Sequence, residues 1–382
     1  MEIYDKKVNS ERILRLFNKL VSFDSESFKE KNIAEYIKFI LTDLGLTVSE
    51  DSASAKLQEE DGTRIGAANN IYAYLKGNGD PRLFSSHLDT VSPGNGKRAV
   101  LHEDGRITSD GTTVLGADDV SGLVSVIEAL TVIKEEGLPH PDIEVLFTVA
   151  EEPYCSGSRF IEYDRLHSKE GYVLDLTGDV GTAAVEAPAI ISFSITVHGK
   201  AAHAGFEPEN GINALNIAAS ALSRIKTGWV SDGLSVNFGT INGGKGRNIV
   251  PEEIAIEGEI RGKDRTKAMQ TLNSIECIFE EEGARRGGNV RTSYEIKIPA
   301  YSVDTGSKTV QRFLKAASET GCKKPGCVGT FGGSDANRLN ENGITAIVIA
   351  CGMQKSHSRE EYTSVSELTE SSELTLRLMT SE

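Results

Sequence analysis

Ser85-Ser86-His87-Leu88-Asp89-Thr90-Val91 closes an apolar run that begins at Arg82, and the turn Ser92-Pro93-Gly94 stops it. The run reads as a strand over 82–86. Residues two apart on a strand share a face, so His87 and Asp89 leave the strand end on one side. In an open α/β sheet, that end is where ligands sit. A carboxylate beside an imidazole accepts the proton of one ring nitrogen and leaves the other for a metal. Taken alone, the pair reads equally well as a strand-end histidine beside a solvated aspartate, and the rest of the chain decides between the two.

The flanks follow one plan. Asn9-Ser10-Glu11 starts a helix that carries Ile13, Leu16, Phe17 and Leu20 at helical spacing. A second amphipathic helix bears Ile33, Ile37, Ile40, Leu41 and Leu44 and stops at Gly45, and 71–75 reads as a strand. Beyond the opening stretch, Gly116-Ala117-Asp118-Asp119 opens a helix with Leu123, Ile127, Leu130 and Ile133 inward. Strand 143–149 runs into Glu151-Glu152-Pro153, and strand 170–175 ends on Asp175. Late in the chain come a helix at 310–319, a buried strand at 344–350 and a closing helix at 366–378. Strands alternating with helices predict an α/β fold whose mainly parallel sheet is covered by helices.

Between these parts the texture changes. Strand 190–197, helix 211–226, strands 234–241 and 252–261, helix 264–283 and strand 289–298 give the order βαββαβ, the ferredoxin-like plan. The predicted organisation is therefore a catalytic domain in two parts, 1–187 and 300–382, with a lid domain inserted at 188–299.

A chain of 382 residues suits two domains, and its 38% hydrophobic content is that of a globular protein. The net charge of −15 argues against nucleic acid or an anionic membrane as partner. No apolar run approaches a membrane span, and residues 1–7 hold no signal core. The cysteines, Cys155, Cys277, Cys322, Cys327 and Cys351, form no CxxC pair and read as reduced, which implies a cytoplasmic protein.

Ligand-type residues stand where sheet elements meet loops: His87, Asp118, Glu152, Asp175 and His357. Two imidazoles with three carboxylates suit a pair of divalent ions, zinc ahead of cobalt or manganese, better than magnesium or calcium. Five side chains serve two ions only if one carboxylate bridges. Asp118, at a helix start, is the expected bridge, with His87 paired to Asp175 and His357 to Glu152. Glu151, next to Glu152, is free to take a proton from an activated water and pass it to a leaving amine.

His87-Leu88-Asp89-Thr90-Val91, Gly116-Ala117-Asp118-Asp119, Glu151-Glu152, Asp175 and His357, in this order, resemble the M20 family of dinuclear zinc peptidases. The resemblance spans nearly the whole chain and is nearest the tripeptide aminopeptidase (peptidase T) branch. It implies hydrolysis of short peptides, a homodimer formed through the lid, and a cis bond between Asp118 and Asp119. It makes Glu151 the general acid/base, and it makes Asp89 the residue that orients His87. In the lid, the segment His198 to Gly205 places His203 where the family reaches substrate across the dimer. Gly246-Arg247-Asn248-Ile249-Val250-Pro251, through Asn248, and Arg261 match residues that bind the substrate's carboxylate end. Gly333 and Ser334 match its glycine-rich substrate loop.

Two departures bear on substrate. Asp175 is followed by Leu176-Thr177-Gly178-Asp179 rather than by glycine, which makes Asp179 a rival ligand. The surroundings of His203 resemble the wider family. An M20-type carboxypeptidase or N-acyl amino acid amidohydrolase is therefore the alternative. A non-catalytic peptide-binding protein, which predicts missing ligands, is the remote one. The remaining polar features read as ordinary: His102, His140 and His167 as surface residues, Glu135-Glu136 and Glu281-Glu282 as solvated faces, and Trp229 as lid packing.

Overall fold

Asn9 does cap the first helix, its side chain accepting the N–H groups of Glu11 and Arg12 at 3.1 and 3.0 Å. The computed structural model describes residues 8–61 and 68–381, so the expectation about residues 1–7 lies outside the described residues. Along the chain run α1 (Ser10–Val21), α2 (Lys31–Asp43), β1 (Thr47–Glu50), α3 (Ala53–Asp61), β2 (Ile71–Leu75) and β3 (Arg82–His87). Then come β4 (Ala99–Leu101), β5 (Arg106–Ser109), α4 (Ala117–Glu136), β6 (Ile143–Thr148), β7 (Glu170–Leu176) and β8 (Thr182–Ala187). The insertion holds β9 (Ala189–His198), α5 (Ala214–Ser223), β10 (Gly228–Ser231), β11 (Leu234–Gly243), β12 (Glu253–Gly262), α6 (Arg265–Arg286) and β13 (Asn289–Ile298). The chain closes with β14 (Tyr301–Ser302), α7 (Lys308–Glu319), β15 (Gly326–Gly329), α8 (Asp335–Glu341), β16 (Thr345–Ala350), β17 (Tyr362–Ser364) and α9 (Val365–Thr380).

The main sheet of the described residues has the order β1-β2-β6-β3-β7-β16-β8-β14, with β15 beside β8. Its centre is parallel: β3 pairs with β6 and β7, and β7 with β16. The flanks turn antiparallel at β1–β2, β2–β6 and β16–β8. Every residue of β3 and β6 is buried, which explains their near-continuous apolar character. Because β3, β6 and β7 run the same way, His87, the Glu151-Glu152 turn and Asp175 all emerge at their C-terminal ends. A smaller sheet, β17-β5-β4, lies in the same unit. No helix of the described residues is long and apolar enough to cross a membrane.

A half-buried ion pair fastens α1 to α4. Arg12 Nε and Nη2 donate to the Glu128 carboxylate at 2.6 and 2.8 Å, and Glu128 is 1% exposed. Removing the cation strands a desolvated charge. Arg12→Ala is expected to cost about 3 kcal/mol of stability, read as a lower urea midpoint with an unchanged m-value. A shift of a few tenths would mean that water solvates Glu128.

The insertion has a core of its own. Its sheet order is β10-β11-β12-β9-β13, antiparallel throughout, with α5 and α6 packed on it. Ile191, Phe193, Ile195 and Val197 alternate inward along β9 to meet Ile217, Leu272 and Phe279. Gly258 lets the Phe193 ring cross β12, since a Cβ there would come within 2.2 Å of that ring. This is the ferredoxin-like arrangement plus an edge strand, β10, that carries Trp229. Trp229 is 57% exposed and meets the Phe331 ring edge-on at 4.6 Å. The chain divides into two compact units, one that runs to Glu186 and resumes over Ser302–Thr330 and from Ser334, and a second of Ala187–Tyr301 with Phe331–Gly333. Residues 331–333, placed by sequence in the third segment, thus pack with the lid. The solvated reading of Glu282 is corrected: it is 5% exposed and gathers Arg224, Arg285 and Arg286. Its neighbour Glu281 and the pair Glu135-Glu136 are exposed.

Candidate metal centre

Two trios of ligand atoms form at the C-terminal edge of the parallel strands. His87, Asp118 and Asp175 make one, Asp118, Glu152 and His357 the other, each with its donor atoms within 4.8 Å of one another. His87 Nε2 lies 3.0 Å from Asp118 Oδ1 and 3.7 Å from Asp175 Oδ1. His357 Nε2 lies 3.2 Å from Asp118 Oδ2 and 2.8 Å from Glu152 Oε2. Asp118 therefore turns one oxygen to each trio, and the structure brings together all five residues read as ligands. Asp175, not Asp179, stands in the cluster.

The donor set fits two divalent cations. Each trio combines imidazole nitrogen with carboxylate oxygen, and a shared carboxylate supplies the link. Glu152 Oε1 is buried with no hydrogen-bond partner, an orphan acceptor of the kind a cation satisfies. The backbone is bent to make the cluster: His357 (φ 63°) and Ala150 (φ 47°) occupy the left-handed region that favours glycine. The Asp118–Asp119 peptide bond is cis.

The electrostatics are those of a chain that holds protons where cations belong. Burial alone would lower the His87 pKa, but the carboxylates of Asp118, Asp175 and Asp89 outweigh it and hold the ring well above its usual value. Hydrogen bonds from the His357 ring to the Asp118 and Glu152 carboxylates lift His357 to about 10. Burial raises Asp118, yet the two imidazoles carry it below the ordinary carboxylate range. Burial and the Asp118 charge push Glu152 to about 7, and burial takes Asp175 to about 6 against the pull of His87. Glu151 lies well above its ordinary value through burial and the charge of Asp175.

Asp89 does more than the pairing with His87 suggests. His87 Nδ1 lies 3.0 Å from the Asp89 backbone carbonyl and 3.4 Å from its carboxylate. That carboxylate accepts the N–H groups of Glu151 and Glu152 at 2.9 and 3.2 Å and the Ser27 hydroxyl at 2.7 Å. It fixes the acid–base turn as well as the ring.

Two residues escaped the sequence reading. Asp119 accepts the Ser86 hydroxyl and the N–H groups of His87 (3.1 Å) and Gly122 (3.2 Å), stitching the end of β3 to the start of α4. Its signal was its place beside Asp118. Glu361, 1% exposed, accepts the N–H groups of Gly116 and Asp118 at 2.8 and 2.9 Å, with burial taking it to about 7. It gave no signal, because its partners are backbone groups about 245 residues away. Glu361→Ala is expected to weaken cation binding about 10- to 100-fold while all five ligands stay in place, measured by competition with a chromogenic chelator. Unchanged affinity would restrict Glu361 to packing.

Within the lid unit, the His203 and Asn248 segments meet: Ala204 N–H donates to Asn248 O at 3.0 Å, and His203 bridges Ile249. The exposed His203 ring lies 4.3 Å from the Phe206 ring. Arg261 does not stand open. Its Nε donates to Glu259 at 2.6 Å and its Nη1 to the Phe331 carbonyl at 2.9 Å, beside Gly332-Gly333. A Cβ on Gly333 would meet Ile298 at 2.4 Å. Ser334 belongs to the other unit, where it precedes α8 and donates its N–H to Asn337 at 3.0 Å. Of the histidines read as ordinary, His102 and His167 are exposed and His140 is half-buried.

Comparison with known proteins decides the lineage. Residues 185–286 match the peptidase dimerisation domain of M20, and residues 70–188 match peptidase family M28. The protein YqjE of Bacillus subtilis is 36% identical over 375 residues, 97% of this chain and 98% of its own. The chain belongs to the M20 peptidase family. Its fold follows two solved M20 relatives across 98% of its length. One is a Staphylococcus aureus tripeptidase (TM-score 0.91, 32% identity, 98% of that chain). The other is the Bacillus cereus aminopeptidase PepT (TM-score 0.90, 34% identity, 99% of that chain). This M20 chain is a metallopeptidase, and it carries two trios of candidate ligand groups. The reading as a non-catalytic binding protein falls away.

Proposed function

We propose that this M20 peptidase removes the N-terminal residue of short peptides, tripeptides foremost, at a centre of two divalent ions, zinc ahead of cobalt or manganese. The observation that carries the reading is Asp118 turned between two trios, one oxygen to each. The names of the S. aureus and B. cereus relatives support the substrate class. When bound, the ions supply Lewis acidity: they acidify a water and polarise the scissile carbonyl. His87, Asp118, Asp175, Glu152 and His357 hold them, and Asp89 fixes the His87 ring and the turn that carries Glu151. Glu151 accepts the water's proton at its carboxylate and returns it to the departing amine nitrogen. Its buried setting raises its basicity for the first transfer and its readiness to hold the proton for the second.

Substrate is bound by His203 of the lid, by Asn248 and Arg261 at the peptide's carboxylate end, and by the glycine-rich loop of Gly333 and Ser334. The lid also joins two copies into a homodimer, and the enzyme works in the cytoplasm. The test is a side-by-side panel of free tripeptides, N-blocked peptides and N-acetyl amino acids on the metal-loaded enzyme. Turnover confined to free tripeptides is expected. Cleavage of the N-acyl compounds instead would make it an amidohydrolase or carboxypeptidase. Light scattering should return twice the chain mass, and a monomer would remove the dimer.

A further inference from the structure

A third cluster includes Glu151 itself. Glu151, Cys155 and Asp335 each offer one donor atom, all within 4.8 Å of one another. All three are buried, at 7%, 1% and 1% exposure. The Cys155 thiol donates to Glu151 Oε1 at 3.1 Å. Asp335 accepts the Thr148 hydroxyl at Oδ2, while its Oδ1 is buried with no hydrogen-bond partner in the structure. Such an orphaned acceptor costs stability unless something occupies it. The local chain is shaped to bring the sulfur in: Tyr154 (φ 62°) and Cys155 (φ 51°) are consecutive non-glycine residues in the left-handed region. Donors bound at ~2.0–2.3 Å from a shared ion lie no more than about 4.6 Å apart, which this cluster nearly meets as it stands.

We propose that Glu151, Cys155 and Asp335 form a thiolate-containing site for a third, inhibitory cation of the zinc class. The thiol loses its proton to solvent as the sulfur–metal bond forms, and the two carboxylates bind through oxygen. One sulfur donor selects zinc or cobalt over manganese or magnesium. The pair of trios contains no sulfur, so the third site has a chemistry of its own. A Glu151 carboxylate committed to a cation cannot accept a proton from water. Occupancy of the third site therefore stops turnover without disturbing the other two. That last step rests on Glu151 being the general base, as proposed above.

The experiment uses the enzyme loaded with two equivalents of metal. Titration with cobalt(II) is expected to show a third equivalent, reported by a thiolate-to-cobalt charge-transfer band in the near ultraviolet. Zinc in excess of two equivalents is expected to lower kcat by about 10³-fold, as loss of the Glu151 base does, while manganese in excess leaves it high. Cys155→Ala and Cys155→Ser, checked to retain two equivalents, should lose the band and the third equivalent. Their rates, each relative to its own value at two metal equivalents without excess zinc, should fall less than about twofold under the same excess, well short of a lost general base. Absence of the band and of a third equivalent overturns the site. A band that appears with no loss of rate would keep the site and instead remove Glu151 from the base role.

Discussion

Glu151→Gln is expected to lower kcat by about 10³- to 10⁴-fold, near the upper end of what a positioned general acid/base contributes. KM should change little, and the enzyme should still bind two metal equivalents. The carboxamide keeps the size and the hydrogen-bond reach of the side chain but can neither accept nor return the proton. The backbone of the turn is held independently, because Asp89 grips the N–H groups of Glu151 and Glu152 and neither bond involves the Glu151 side chain. Metal content measured by mass spectrometry on the same sample separates the roles. Loss of metal along with rate would mean that Glu151 is a ligand, and a loss below about tenfold would assign the proton transfers elsewhere.

Asp118→Ala is expected to abolish turnover by a different route. Each trio loses a donor at once, so both equivalents should be lost together, whereas His357→Ala should release one before the other. Stepwise loss from Asp118→Ala would show that the two positions do not share this carboxylate. The same centre ties metal uptake to pH. His357, raised to about 10, is protonated at neutral pH in the metal-free chain, and a ligating imidazole must be neutral. Uptake therefore expels that proton, and affinity climbs with pH until the ring loses it unaided. Calorimetry in buffers of different ionisation enthalpy counts the protons, and a count of zero at pH 7 would contradict the proton-filled centre.

The ligands were legible because each falls where an apolar strand or helix gives way to a polar loop. His87 after 82–86, Glu152 after 143–149 and Asp175 after 170–175 mark three parallel strand ends, and parallel strands deliver their ends to one edge. The lid was legible from alternation along β9 and β12. What the sequence hid was short or polar. The strands β1, β4 and β5 span three or four residues each, with largely exposed or half-buried side chains and little hydrophobic pattern. The edge strand β10 did have a signal, the hairpin turn Asp232-Gly233, with Gly233 at φ 68°. Glu361, Cys155 and Asp335 were beyond reach in another way: their partners are set by tertiary placement, not by spacing. Arg261 shares a strand face with Glu259, as its spacing implies, whereas its bond to the Phe331 carbonyl is again set by tertiary placement.

The insertion leaves the main sheet at β8 and returns at β14, neighbouring strands joined by Val303 N–H to Val185 O at 2.8 Å. The roughly 115 residues between these crossings are a long loop while unfolded and a clasp once folded. Collapse of the insert shortens the tether between the two crossings to a few residues, lowering the entropic cost of joining them by about 3 kcal/mol. Assembly of the host sheet should then wait on its guest. Phe279→Ala, which hollows only the guest's core, is expected to slow refolding of both parts, and a host half that refolds at the parent rate would uncouple the two.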